Sequence, residues 1–329
     1  MKNKAVRLED IALKAGVSIT TVSHVINKTR YVKQETRELI LKILEEMEYS
    51  IKEPKVKQSF SRFIGIIVAD ITEDYYISVV KAIETYASEQ SFSILLCDSE
   101  HDSEKEKRNI KNMLARQVDG LIISPVNCEK YPKEIKDAKI PVVLVDRKYN
   151  NHDKVFVGIN NFESGYRGTK YLASKGCKSI AFIGYNDTVY TAHQRMVGYR
   201  DYLNEHLPEC QPKELKLNYR QEDSTKLIRD FVASAKPDGV LCVTADICYQ
   251  LLGSLQEMGI GIPEDIQIVT YDDNKWLDYL KFPVSVITQP TAEVGFRAID
   301  LLVRMILHPE NRKTIATDIF LETGFIDRS

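Results

Sequence analysis

Residues 5–27 read AVRLEDIALKAGVSITTVSHVIN, and the rest of the chain is best understood outward from this stretch. Leu8, Ile11, Ala12 and Ala15 recur at helical spacing and make one apolar face. Gly16 supplies the backbone freedom that ends this helix, and Val17 turns back toward the core. Ser18 brings a hydroxyl able to accept from the free N–H groups of a second helix. There Val22, Val25 and Ile26 point inward, leaving Ile19, Thr20, Ser23, His24 and Asn27 on the outward face. A short helix with small and polar residues outside suits the DNA major groove. Spacing alone also fits a plain helical hairpin, so both readings stay open at this point.

A third helix is expected from about Gln34 to Met47, with Leu39, Ile40, Ile43, Leu44 and Met47 as its apolar side. Its acids Glu38, Glu45, Glu46 and Glu48 look away from phosphate, whereas Arg30, Lys33 and Arg37 look toward it. The net charge of −2 is unevenly spread: residues 1–58 hold twelve Lys/Arg against eight Asp/Glu, and the remainder holds 33 against 39. The positive end is the one that suits nucleic acid.

With 329 residues, 43% hydrophobic and 28% charged, the chain has material for two or three buried cores. No apolar run approaches the roughly 20 residues that span a bilayer. MKNKAVRLED has no apolar stretch before its first acids, which argues against a secretory signal. The six cysteines are scattered without a CxxC pair, and several sit in apolar runs. Reduced thiols in a cytoplasmic protein are expected, with no metal site.

Residues 50–62, SIKEPKVKQSFSR, are polar and basic and carry Pro54, as a linker does. From Phe63 the chain alternates strand and helix. FIGIIVAD, FSILLCDS, DGLIISP, PVVLVDR, KVFVGIN, SIAFIGY, DGVLCVT, IQIVTYD and VSVITQ read as strands buried on both faces, as in parallel sheets. Amphipathic helices are expected at Ile77–Glu89, Glu104–Arg116, Ser164–Ser174 and Ala292–Leu307. VDGLIIS (118–124) is echoed by PDGVLCVT (237–244), so two doubly wound α/β lobes with a cleft between them are expected.

Ligands in such sheets bind beyond the carboxyl ends of the strands. Those places carry Asp70, Asp98, Asp146–Arg147, Asn160–Asn161, Thr244 and Asp272–Asp273, with Tyr75, Tyr76 and Trp276 close by in sequence. Carboxylates accept from vicinal hydroxyls, arginine donates a fork, and flat rings cover a sugar's C–H face. The set suits a polyol or sugar. Taken singly, an aspartate after a strand is as often a helix cap.

The string AxxAGVSxxTVSxVIN, followed by YVxxETRxxI and Tyr49, resembles the headpiece of the LacI/GalR family of bacterial repressors, and the likeness runs through the rest of the chain. The resemblance implies an α/β fold: an all-α helix-turn-helix headpiece at 1–49, a linker at 50–62, and a two-lobed core at 63–329 like that of periplasmic binding proteins. The chain should cross between lobes three times, one lobe being roughly 63–160 with 290–318, the other 161–289 with 319–329. In the family the linker forms a hinge helix whose leucine wedges into the minor groove. Here no leucine occurs from 45 to 94, and Val56 or Phe60 would have to serve. Arg195 in RMVGY and Asp272 in YDD match the family's effector-binding positions, and Asp146 matches a sugar-contacting one. Asp70–Tyr76 parallels a loop that usually ends Asn-Pro-Phe-Phe, and Thr244–Ala245 stands where many members carry Asn-Asp.

The expected DNA contacts are therefore Arg7, Ser18, Ile19, Thr20, Ser23, His24, Asn27 and Lys33. The expected effector contacts are Tyr75, Tyr76, Asp146, Asn160, Arg195, Thr244, Asp272 and Trp276. The function implied is that of a sequence-specific transcription regulator, a repressor, governed by a small sugar-like effector and needing no cofactor. Its partners would be double-stranded operator DNA and a second copy of the chain. With no leucine heptad tail, a homodimer is expected over a tetramer. A solute-binding protein without regulatory role is the alternative, weakened by the headpiece. Catalysis is not expected: GxSxG, P-loop and HExxH patterns are absent, and the six histidines do not cluster in sequence.

Overall fold

The computed structural model describes residues 8–27, 32, 34–47, 49, 61–218, 224–314 and 318–328. They fall into two compact units, one within 1–60 and one within 61–329. The first contains helices α1 (Leu8–Ala15), α2 (Ile19–Asn27) and α3 (Gln34–Glu46). Ile11, Ala12, Val22, Val25, Ile40, Ile43 and Leu44 bury themselves among these helices as its core. Gly16 takes φ +64° between α1 and α2, and the Val17 N–H closes the end of α1 on Ala12 O at 3.1 Å. Ser18 then caps α2, its Oγ accepting from the Thr21 N–H at 3.1 Å. The linker lies almost wholly outside the described residues, Pro54, Val56 and Phe60 included.

The second unit begins with β1 (Phe63–Val68), α4 (Asp74–Glu89), β2 (Ser93–Asp98), α5 (Ser103–Ala115), β3 (Gly120–Ile123), α6 (Lys133–Lys136), β4 (Val142–Val145) and β5 (Val155–Ile159). The chain then runs through α7 (Asn161–Ser174), β6 (Ile180–Tyr185), α8 (Tyr190–His206), β7 (Lys213–Leu217), α9 (Ser224–Ala235), β8 (Gly239–Cys242), α10 (Ala245–Met258), β9 (Gln267–Tyr271) and β10 (Ser285–Thr288). It ends with α11 (Thr291–Leu307), β11 (Asp318–Leu321) and β12 (Gly324–Ile326).

The strands form two sheets of one plan, β11-β5-β4-β3-β1-β2 and β12-β10-β9-β8-β6-β7. Every pairing is parallel except β10 with β12. The central strands are buried along their whole length, because helices cover both faces and leave no water-facing side to alternate against. The chain passes between the sheets at Asn160, at Gln289–Pro290 and at Glu322–Thr323. This last crossing falls a few residues later than expected, since residues 318–321 still pair with β5.

Two local features decide where functional side chains stand. A Cβ added at Gly198 would lie 2.1 Å from Phe162 O, and one at Gly165 would lie 2.2 Å from Arg195 O. Helices α7 and α8 thus touch backbone to backbone, which seats Arg195 over the second sheet. The other feature is Glu106 on α5, which is 2% exposed. Its Oε2 accepts from the Val126 N–H at 2.6 Å, and its Oε1 from the Tyr149 hydroxyl at 2.8 Å. It thereby supports the loop whose Cys128 N–H donates to Thr188 O of the other lobe at 3.1 Å.

Burial pushes the Glu106 carboxyl up from 4.5 to about 7, against the two bonds that favour its charged form. A carboxyl raised in the folded state binds its proton there while the unfolded chain has released it. Its contribution therefore falls as pH rises from about 4.5 to about 7 and is constant above. Glu106→Gln can donate to Tyr149 and accept from Val126, so it keeps both bonds without the charge. The variant is expected to be more stable than wild type at pH 8 by on the order of 1–3 kcal/mol. It should equal wild type near pH 4.5, as read by thermal denaturation across that range.

Candidate ligand cleft and nucleic-acid interface

On α2, Ser18, Ile19 and Thr20 at the helix start are exposed, and Ser23 and His24 are half-exposed. Ile19 keeps 47% of its surface in contact with solvent, which a helix serving only the local core would not require. Ser18 is committed to capping, with its Oγ 2.8 Å from Thr21 Oγ1. The side chain of Asn27, and residues Arg7, Arg30 and Lys33, lie outside the described residues. His24 stands where the resembled pattern has arginine. Arginine reads guanine with two bonds, whereas imidazole presents one donor or acceptor at a time to a base edge. His24→Arg is expected to shift base preference toward guanine at one half-site position by about 1–3 kcal/mol. Selection from random DNA checks this; identical motifs for both proteins would refute it.

The ligand cleft is built by symmetry. Asp146 follows β4, and Asp272 follows the equivalent strand β9. Both take the left-handed backbone, at φ +62° and +66°, a region that aspartate tolerates better than most residues. Each donates its N–H to the neighbouring strand, Asp146 to Val157 O at 3.1 Å and Asp272 to Ile287 O at 3.2 Å. The turn aims both carboxylates into the space between the sheets, where they line one recess with Arg147, Arg195 and Gln289. That recess meets a wider cleft of about 360 Å³ reaching Thr244, Tyr249 and Trp276.

Arg195 is 3% exposed and fully held. Its Nε donates to Asn161 Oδ1 at 2.8 Å, its Nη1 to Val243 O at 2.6 Å, and its guanidinium lies 3.6 Å above the Tyr271 ring. It does not pair directly with Asp272. Gln289, in the second crossing, joins them: it accepts from Arg195 Nη2 at 3.4 Å and donates to Asp272 Oδ1 at 2.7 Å. A hinge residue therefore touches both.

In the first lobe, Tyr76 is buried, and its hydroxyl donates to Asp146 Oδ2 at 2.7 Å. Arg147 lies with Nε 3.3 Å from the same carboxylate. Tyr75 lines both parts of the cleft. Thr244 lines it too, while its Oγ1 accepts from the Ile247 N–H and caps α10. Trp276 meets Tyr249 edge-on, with centroids 5.7 Å apart.

Asn160 stands apart from these. It caps α7 by accepting from the Glu163 N–H at 3.1 Å and lines a separate recess with Phe320–Thr323. Its neighbour Asn161 is the one that reaches the cleft, through Arg195. The expectation for Asn160 is corrected accordingly: the residue between a strand and a helix gave its side chain to the free N–H groups.

Glu73, His101, Tyr185, Tyr249 and Gln289 line the cleft without having been singled out. Glu73 could have been noticed as the acid standing in the loop before Tyr75. The others are brought in by folding alone. His101 Nε2 lies 3.1 Å from Glu73 Oε1 and 3.6 Å from Asp70 Oδ2. Burial pushes Glu73 up to about 7, partly offset by Arg147. Burial likewise raises Asp272 to about 6, with Arg195 opposing. Among the described residues no group of three or more His, Cys, Asp or Glu is arranged to hold a metal ion. No described helix is long and apolar enough to cross a membrane.

The chain matches the bacterial regulatory proteins of the lacI family over residues 7–51 and the periplasmic binding protein domain over 64–310. It is 31% identical over 317 residues, 94% of each chain, to the HTH-type transcriptional repressor PurR of Vibrio parahaemolyticus. The transcriptional regulator CelR–cellobiose complex superposes with a TM-score of 0.71 at 23% identity, covering 98% of this chain and 99% of that one. The Lac repressor bound to ONPG in its repressed state gives 0.70 at 22% identity, covering 99% of each. These last two are likenesses of fold. The family match at both ends and the relative along nearly the whole length settle the class: the chain belongs to the LacI family of bacterial regulatory proteins and is a helix-turn-helix transcription repressor.

Proposed function

We propose that this repressor works in the cytoplasm as a homodimer whose operator affinity is set by a small polyhydroxylated effector. The effector lies in the cleft between the lobes, held by Asp146, Arg195, Asp272, Tyr75 and Thr244, with Trp276 at the mouth. Tyr76 serves behind Asp146 and orients it. DNA is read by Ile19, Thr20, Ser23, His24 and Asn27, with Arg7 and Lys33 on phosphate. The units are a headpiece at 1–49, a linker at 50–62 and a core at 63–329.

The observation that carries this reading is the pair Asp146 and Asp272, in matching left-handed turns of the two lobes, facing one recess beside two buried arginines. Such a ligand is gripped from both sides, so it favours the closed arrangement of the lobes over the open one. That differential affinity is what shifts the population and, through it, DNA affinity. The fold likeness to a protein solved with cellobiose agrees with a ligand of this kind.

A thermal-shift screen over sugars, sugar phosphates, sugar acids and nucleobases tests the cleft, because a ligand of the folded state raises the melting temperature. Any hit is then tried on operator binding. Residues 61–329 alone are expected to keep the ligand and lose the operator. In the full chain, operator affinity should fall steeply with salt as phosphate contacts release counterions. A 61–329 fragment that held operator with full affinity would sink the reading.

A further inference from the structure

Among the described residues, the wider part of the cleft, about 360 Å³, is lined by five carboxylates, Asp70, Glu73, Asp74, Asp246 and Asp272, and by no lysine or arginine. Three of these carboxylates take hydrogen bonds from neutral side-chain amides. Asp74 Oδ2 accepts from Asn274 Nδ2 at 3.0 Å, Asp246 Oδ2 from Gln250 Nε2 at 2.8 Å, and Asp272 Oδ1 from Gln289 Nε2 at 2.7 Å. Among the described residues, no cation lies within ion-pair distance of Asp74, Asp246 or Asp272. His101 is shared between Glu73 and Asp70. Arg147 lies against Asp146 and 3.9 Å from Glu73, and Arg195 lies deeper, on Tyr271. Four rings, Tyr75, Tyr185, Tyr249 and Trp276, share the lining with the acids.

Resting on the reading of this cleft as the effector site, we infer that the effector carries a positive charge: it is an ammonium-bearing polyol, an amino sugar or aminocyclitol. A phosphate or sugar acid would enter against the half-buried Asp70, Glu73 and Asp272 as well as the exposed Asp74 and Asp246, and like charges repel more strongly where the site is partly desolvated. A neutral sugar would leave that charge unmatched. An ammonium group offers three donors to the acids and presents its charge to the faces of tyrosine and tryptophan. The hydroxyl frame then reaches the deeper recess, where Asp146 and Asp272 accept and Arg195 donates. Burial is the main cause of the raised Glu73 carboxyl, Arg147 opposes it, and Asp146, Asp70 and Asp246 add to it in that order.

Calorimetry on the full chain tests this with matched sets. These are glucose, galactose and mannose, their 2-amino-2-deoxy forms, the N-acetylated forms and the 6-phosphates, together with myo-inositol against 2-deoxystreptamine. In at least one set the amine is expected to bind more tightly than its neutral, acetylated and phosphorylated counterparts, on the order of tenfold. The double variant Asp74→Asn/Asp246→Asn, checked for an unchanged melting temperature, should erase that preference. The inference is overturned if in every set a neutral, acetylated or phosphorylated member binds as tightly as its amine, and also by a screen in which no amine binds. Arg195→Ala separates the two levels. A neutral or anionic compound that depends on Arg195 overturns the charge assignment and leaves the cleft as the effector site. A compound that changes operator affinity yet binds Arg195→Ala as tightly as wild type overturns the cleft itself.

Discussion

Arg195→Ala is expected to lower effector affinity by on the order of 2–5 kcal/mol, because ligand hydroxyls lose a cationic donor in a partly dry site and Gln289, which donates to Asp272, loses the guanidinium that holds its carbonyl. The same guanidinium also satisfies Asn161 Oδ1 and Val243 O, so the variant should melt at a lower temperature even without ligand. Those two effects must be measured apart, by calorimetry on the folded fraction and by thermal denaturation. Asp272→Asn makes the separation cleaner. Asparagine tolerates the left-handed turn and can still accept from Gln289 Nε2, so the fold keeps its bonds while the ligand loses an anionic acceptor. Loss of stability with unchanged ligand affinity in both variants would assign the pair to scaffolding alone.

Gly198→Ala is expected to cost about 3 kcal/mol or more of stability, since the added methyl falls 2.1 Å from Phe162 O and backbone offers no rotamer by which to yield. Helices α7 and α8 must move apart, and Arg195 moves with α8. Ligand affinity should therefore fall together with the melting temperature, although residue 198 lines no part of the cleft. Gly253→Ala on α10 is the control: nothing lies within 4 Å of its added Cβ, and it should stabilise the chain by about 0.5–1 kcal/mol. Equal melting temperatures for the two variants would contradict the close crossing.

Much of this arrangement was legible because burial writes itself into the central strands. Runs such as VVLV and GVLC have no polar side and can only be buried on both faces. Strand β7, KELKL, escaped notice: it is a half-exposed edge strand carrying two lysines and a glutamate. Strands β11 and β12 are short and half-exposed too, so they leave little apolar signal. In the cleft, strand-end aspartates were readable from position, and Arg195 from the resembled motif. What the sequence did not display is the long-range part. Gln289 joins Arg195 to Asp272 only because the second crossing passes beside both, and His101 meets Glu73 across 28 residues of chain. Asn160 and Asn161 show the limit at its smallest: adjacent residues of one type, one capping a helix and one holding the cleft's arginine.

Operator affinity measured with and without effector, in wild type and in Asp272→Asn, bears most directly on whether the cleft governs DNA binding. The operator is one selected from random DNA, at fixed salt, and the effector is the compound found by the thermal-shift screen. In wild type the effector should change operator affinity by about 5–150-fold, the range of a coupling free energy of roughly 1–3 kcal/mol. In Asp272→Asn, at an effector concentration that saturates wild type, the change should vanish while operator binding itself remains. An equal change in both proteins, or none in wild type with the cleft demonstrably filled, would contradict control of the operator through this site.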